Sequence, residues 1–231
     1  MSESVAEFVR AYAGLAPVAA VPEIRLHQAA EPIGLWELTE GEFRSEQPPP
    51  FWAFAWAGGQ ALARYLLDHP ETVSGRRVLD LASGSGLVAV AAARAGAAQV
   101  RAVDVDPTAV AAIEVNARAN GVVVETRLGD ILDDDAGDAE VVLAGDVFYS
   151  QAMANRMLRF LLRAARDGGA RVLVGDPERA YLPRSRFRRL DGYDIPVSPA
   201  LESVRVKHGT VWELISATPG PGRTDPDPRT D

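Results

Sequence analysis

The densest chemistry in this chain lies in one stretch, Val78-Leu79-Asp80-Leu81-Ala82-Ser83-Gly84-Ser85-Gly86. An apolar run reaches an acid, small residues turn the backbone, and a helix-like run begins. Such a turn lets a ligand approach the backbone at the carboxyl end of a strand. About 20 residues further on, Asp104 closes the next apolar run, where a carboxylate can accept both hydroxyls of a ribose. Asp130, followed by Ile131, stands at a third strand end and is placed to hold an adenine amino group. Gly84-x-Gly86-x-x-Ala89 also satisfies a loose dinucleotide fingerprint. An acid at position 80, however, suits a cationic amino-acid moiety and would repel a pyrophosphate. These residues therefore fit S-adenosylmethionine better than a nicotinamide dinucleotide, with Asp80, Ala82, Ser83, Gly84, Gly86, Asp104, Asp130 and Ile131 as the binding set. A phosphate loop of the Gly-x-x-x-x-Gly-Lys type is absent, as is a Gly-x-Ser-x-Gly elbow.

Acids at successive strand ends share one site only if strands alternate with helices. From residue 76 the pattern does alternate. Strands are predicted at 77–81, 99–104, 122–126, 140–144 and 171–175, with helices over 86–94, 107–119 and about 152–166. Asp106 is the expected N-cap of the second helix, with Pro107 at its first position and Asn120-Gly121 closing it. Such alternation means a parallel sheet covered on both faces. The chain then changes character: 204–207, a His208-Gly209 turn and 210–215 read as an antiparallel hairpin. Before the sheet, Ser4-Val5-Ala6-Glu7 opens a short helix to about Tyr12, and 21–26 and 33–38 read as two short strands. Gln47-Pro48-Pro49-Pro50 is a stiff linker, and a helix is predicted over 58–67. The expected organisation is an N-terminal helix and hairpin over 1–50, a cofactor-binding domain over 51–217, and a disordered Pro/Gly/Arg/Asp tail over 218–231.

The stretch Asp80 to Gly86 resembles the first motif of the seven-strand (class I) S-adenosylmethionine-dependent methyltransferases, with Ala82 replacing the commonest first glycine. Pro50-Phe51-Trp52-Ala53-Phe54-Ala55-Trp56-Ala57-Gly58-Gly59-Gln60, Gly145-Asp146-Val147-Phe148-Tyr149 and Gly175-Asp176-Pro177 carry a closer likeness. They are similar to the electron-transfer-flavoprotein β-subunit lysine methyltransferases, in the nicotinamide N-methyltransferase-like branch. The likeness runs from about residue 22 to 216. It implies a Rossmann-like, doubly wound, seven-stranded α/β sheet with an antiparallel end, and methyl transfer to lysine in a protein. One departure is Ser150, where that branch often carries an acid; a serine there can cap the next helix. The alternatives are a methyltransferase for a ribosomal protein or a small amine, or a cofactor-binding domain without transferase activity.

A lysine side chain starts near pKa 10.4, so presenting it neutral at pH 7 costs about 4–5 kcal/mol. An aromatic channel and a carboxylate at its mouth can lower that cost. Asp146, at the fourth strand end, is the candidate for orienting the amine, with Tyr149 as its catalytic neighbour; its bland alternative is a helix or turn cap. Phe148, Tyr149, Trp52 and Trp56 are candidate walls, Trp56 also touching the cofactor, while Trp52 and Phe54 could equally be core anchors. Arginines 156, 159, 163 and 166 form a helical stripe, followed by Arg184, Arg186, Arg188 and Arg189. Such a stripe is ordinarily a solvated face; together the two groups would suit docking of an acidic protein substrate.

Composition narrows the field further. The chain of 231 residues carries 32 acids against 24 bases, net −8, which disfavours nucleic acid as a general partner. Residues 156–189 run against that balance, with ten Arg and three acids. Cysteine is absent, which removes disulfides, thiolate catalysis and iron–sulfur or zinc–thiolate sites. The three histidines, at 27, 69 and 208, have no ligand spacing, so no metal is expected. No membrane span or secretory signal is legible, and the expected location is cytoplasmic.

Overall fold

The computed structural model describes residues 3–29, 49–199 and 204–215. Its centre is a seven-stranded sheet built from β3 (Arg77–Leu81), β4 (Gln99–Asp104), β5 (Glu125–Leu128), β6 (Val141–Gly145), β7 (Arg171–Asp176), β8 (Phe187–Pro196) and β9 (Val206–Leu214). The order is β5-β4-β3-β6-β7-β9-β8. The first five strands of that order run parallel, β9 runs antiparallel to β7, and β8 antiparallel to β9.

Alternation of side chains along the strands divides the interior in two. Val78, Val100, Ala102, Val141, Leu143, Leu173 and Val211 face one cluster, shared with helices α2 (Ala57–Asp68), α3 (Leu87–Arg94) and part of α4 (Pro107–Ala119). Leu79, Leu81, Val103, Val142, Ala144, Val172 and Val174 face the other, against α5 (Gln151–Asp167). Helix α5 meets it with Ala154, Met157, Phe160, Leu161 and Ala164, spaced three and four apart as one apolar stripe requires. Asp106 caps α4 by accepting from Thr108 N at 2.7 Å, as its position before Pro107 predicts.

The N-terminal part corrects the sequence reading. Helix α1 (Glu3–Tyr12) is present, but the strand β2 (Val21–Gln28) pairs with β1 (Gly14–Val18), which carries almost no strand signal of its own. The strand expected at 33–38 lies outside the described residues. What holds β2 is tertiary: the Asn120 side chain bonds both Arg25 N and Arg25 O, and Asn116 accepts from His27 N at 2.8 Å. Two amides one turn apart, one on α4 and one at its C-cap, thus bond the strand's backbone as a neighbouring strand would. Val9 and Ala13 pack with Trp52, Ala109 and Ala112, which seats the N-terminal elements directly on α4.

The C-terminal end is corrected as well. The sequence places a turn at His208-Gly209, yet β9 runs straight through both residues. A Cβ at Gly209 would lie 2.8 Å from Ala61 Cβ and 2.9 Å from Ala57 O, so this glycine allows close approach of α2 and does not reverse the chain. The partner strand β8 hides in the sequence because it is an edge. Only Phe187 and Ile195 are buried on it, between arginines and aspartates facing water. Strand β5 also starts three residues later than expected, at Glu125. Among the described residues no helix is long and apolar enough to cross a membrane.

Candidate active site

The turn after β3 is held open by unusual backbone angles. Ala82 has φ 49° and Gly86 φ 80°, both left-handed. For Ala82 that conformation costs roughly 1 kcal/mol. Gly86 opens α3 so close to α4 that a Cβ would meet Ile113 Cα at 3.1 Å. Two acids then fasten the turn. Asp80, almost wholly buried, accepts through Oδ2 from the Ser83 hydroxyl and from Ala89 N at 3.1 Å. Asp104 accepts from Gly84 N at 2.8 Å and Asp106 N at 3.0 Å. Burial, reinforced by the Asp104 charge, pushes the Asp80 carboxyl up to about 7 against those two hydrogen bonds. A third clamp was not legible in the sequence: buried Asn116 donates to Ser85 O at 2.8 Å while its own oxygen holds His27.

The opposite wall is built by glycines packed on glycines. Gly58, at the start of α2, is so close to the end of β7 that a Cβ on it or on Gly175 would strike the other residue's carbonyl oxygen. A Cβ on Gly145 would lie 3.0 Å from Gly59 Cα. This approach brings the first turn of α2 onto Asp146, whose Oδ2 accepts from Gly59 N at 2.7 Å. Asp146 itself has φ 59°, and its N–H donates to Gly175 O at 2.9 Å. Its other oxygen, Oδ1, meets the Arg179 guanidinium at 2.9 Å. Arg179 N in turn donates to Asp176 Oδ1 at 2.6 Å. Asp176 is buried, with Oδ2 lacking a hydrogen-bond partner among the described residues; burial first, and then the Asp146 charge, raise its pKa to about 6.

Between these walls lies a cavity of about 340 Å³. Asp80, Ala82, Ser83, Gly84, Asp104, Asp130, Ile131, Asp146, Tyr149 and Trp56 all line it. Gly86 does not; its place in the motif follows from helix packing. Phe148, expected as a wall, is fully buried against Phe187 with ring centroids 5.9 Å apart, and serves the core instead. Trp52 does both, lining the cavity while it anchors α1 through Phe8 at 6.3 Å. The mouth carries an aromatic rim that includes Phe51, a place that its sequence neighbours do not reveal. Phe51 stands 6.0 Å from Trp56 and 6.2 Å from Tyr149, and the Trp56 indole N–H is tied to Phe51 O. Burial, then the Asp104 charge, raise the Tyr149 pKa and keep its phenol protonated. Ser150 caps α5 by accepting from Met153 N.

The arginine stripe is largely spent within the molecule. Arg156 bridges Asp130 at 2.8 Å and Asp133 at 2.9 Å, so Asp130 faces the cavity already paired, with its pKa lowered first by that hydrogen bond. Arg163 donates to Leu132 O and Asp134 O. Arg184 pairs with Glu178 and Arg188 with Glu213. Arg159 and Arg186 stand exposed.

The profile of the ribosomal protein L11 methyltransferase family matches residues 61–166. The electron transfer flavoprotein beta subunit lysine methyltransferase of Danio rerio is 36% identical over 196 residues, 83% of this chain and 75% of that protein. Its Xenopus laevis counterpart is 35% identical over 201 residues, 84% of this chain and 80% of that protein. In three dimensions, a Pyrococcus horikoshii protein provisionally assigned as an RNA methyltransferase shares the fold. It has TM-score 0.53 and 16% identity, covering 78% of this chain and 96% of that one.

Proposed function

This chain belongs to the electron transfer flavoprotein beta subunit lysine methyltransferase family, and from that membership we propose a division of labour within the cavity for lysine N-methylation of a protein. The observation that carries it is that acids from four successive strand ends, Asp80, Asp104, Asp130 and Asp146, line one cavity. The cavity also fits the family's donor. A Cβ at Gly84 would meet nothing within 4 Å, so the loop leaves room above its backbone, and about 340 Å³ is in the range of small-molecule sites. S-adenosylmethionine, the methyl donor, supplies a sulfonium-bound electrophilic methyl group and leaves as S-adenosylhomocysteine.

Ala82, Ser83 and Gly84 would hold the donor against the loop backbone, and Asp104 would accept the ribose hydroxyls with lone pairs left beyond Gly84 N and Asp106 N. Asp80 faces the amino-acid end, where an ammonium group favours its ionised form. Asp130 and Ile131 border the adenine end, beside Leu132 and Met157. Trp56 closes the cavity over the donor.

The acceptor half must take up a cation, desolvate it and remove a proton. Phe51, Trp56 and Tyr149 form a rim whose ring faces attract an ammonium group as it sheds water. Asp146 lies deeper, its carboxylate fixed by Gly59 N, and would accept the ammonium proton and orient the freed amine for in-line attack. Tyr149, held protonated, offers a hydrogen bond but no competing charge. The match to ribosomal protein L11 methyltransferases spans Asp146 and Tyr149 but not Trp52, Trp56, Gly59 or Arg179, so it covers only part of the acceptor half. The relatives' substrate, the electron transfer flavoprotein β subunit, is the acceptor we assign. Arg156, Arg166, Arg184 and Arg188 are paired with acids of this chain, so an acidic partner would be steered chiefly by Arg159 and Arg186 and not by the whole stripe.

The test is to incubate the purified protein with methyl-labelled S-adenosylmethionine and either a cell extract or the purified flavoprotein β subunit. Label in lysine of that subunit supports the assignment. Label confined to small amines or to a ribosomal protein would replace it, and no transfer despite tight donor binding would indicate a binding domain.

A further inference from the structure

We infer that the Arg179 guanidinium occupies the seat of the substrate's ammonium group, so that a lysine engages Asp146 by displacing an internal cation. The inference rests on the assignment of Asp146 to the substrate amine made above. Arg179 and Asp146 both line the cavity. One carboxylate oxygen, Oδ2, is fixed by the backbone of α2 at 2.7 Å, a bond that cannot be released without moving the helix. The other, Oδ1, is held by the Arg179 side chain at 2.9 Å, and a side chain can swing away. Arg179 remains 23% exposed while Asp146 is only 10% exposed, so the guanidinium has solvent to move into and the carboxylate does not. The backbone of Arg179 is anchored separately, through its N–H to Asp176 Oδ1 at 2.6 Å, so departure of the head group need not disturb the chain.

A carboxylate this buried is expensive to leave unpaired. An exchange of cations avoids that state, because one positive group replaces another at the same oxygen. The arrangement also discriminates. A neutral hydroxyl or amide brings no charge to replace the guanidinium and is kept from Asp146, whereas an amine arriving as its ammonium form can compete. Arg179 is thereby a specificity-determining residue that touches the acceptor's seat and not the donor.

Arg179→Met, which keeps the length of the stem but removes the charge, and Arg179→Lys, which keeps the charge, test this. Methylation of the purified flavoprotein β subunit is followed at saturating donor, with n-butylammonium as a competing mimic of the lysine side chain. S-adenosylhomocysteine affinity is measured in parallel by calorimetry. In Arg179→Met, KM for the protein and the inhibition constant for butylammonium should both fall about 5-fold, the worth of one partly exposed ion pair. Donor-product affinity should stay within about 2-fold, and Arg179→Lys should lie between. A KM that is unchanged or raised in both variants overturns the inference, as does weakened S-adenosylhomocysteine binding, which would place Arg179 on the donor. Asp146→Asn separates this from the parent assignment. Wild-type turnover in Asp146→Asn would sink the role of Asp146 itself, whereas lost turnover there with no gain in Arg179→Met sinks only the exchange.

Discussion

The halves of the cavity that we assign to donor and to acceptor are both built on aspartates, but they are secured differently. In the donor half, Asp80 and Asp104 are tied to Ser83, Ala89, Gly84 and Asp106, partners 3, 9, 20 and 2 residues away, three of them backbone N–H groups. In the acceptor half, Asp146 reaches Gly59 across 87 residues and Arg179 across 33. Local backbone donors make a rigid cradle for a ligand of fixed shape. A distant guanidinium beside one fixed backbone N–H makes a site whose charge can be rearranged. The contrast suits a donor that is the same in every turnover and an acceptor that arrives attached to a protein.

The largest effect that would test this contrast is in the acceptor half alone. Asp146→Asn should lower turnover by about a thousandfold, in the range for a lost acid–base or orienting group. S-adenosylhomocysteine affinity in calorimetry should stay close to wild type; a parallel loss of binding would show that the two halves are one unit. Next is the glycine contact. Gly175→Ala inserts a methyl against the Gly58 carbonyl, and overpacking of this kind costs about 3 kcal/mol. Denaturant unfolding should show that loss, whereas Gly84→Ala, with nothing near its Cβ, should suffer only from its left-handed backbone.

In the donor half the expected signature is a pH dependence. Asp80 titrates at about 7, so below that pH it is largely protonated, and a ligand's ammonium group favours the ionised form. Affinity for S-adenosylhomocysteine should therefore rise with pH from about 6 to about 8, by up to about tenfold per unit on the acid side. Asp80→Asn should flatten the profile; a slope that survives the substitution assigns it elsewhere. The smallest effect concerns Ala82, whose left-handed φ of 49° suits glycine. Ala82→Gly should stabilise the protein by about 1 kcal/mol or somewhat less, since glycine also loosens the unfolded chain. A destabilised variant would mean that the Ala82 methyl makes a contact that matters.

Legibility followed the same boundary. Helix α4 could be read to the residue because Asp106, Pro107 and Asn120-Gly121 are local stop and start signals. The acids at 80, 104 and 146 could be read because each lies at the end of a short, mostly apolar run, and Asp130 because Gly129 marks the turn after its strand. Strand β8 could not, because an edge strand with two buried residues has no alternation to show. Gly209 misled for a related reason: glycine marks either a turn or a close approach, and only the position of Ala61 tells which. Phe148 sits one residue from Tyr149 in sequence, yet the two point to core and cavity respectively.

By itself the sequence determined the alternation of strands and helices from β3 to β7, the glycine turn and the row of acids, since all of these depend on periodicity and on neighbours a few residues away. Only the tertiary structure decided which acids carry cations. Arg156 and Arg179 lie 26 and 33 residues from Asp130 and Asp146, and nothing local distinguishes them from the exposed Arg159 and Arg186. Their partners are set by where α5 and the end of β7 come to rest on the sheet. For Asp146 and the end of β7, that in turn depends on Gly58 and Gly175 being small enough to let α2 and the strand meet.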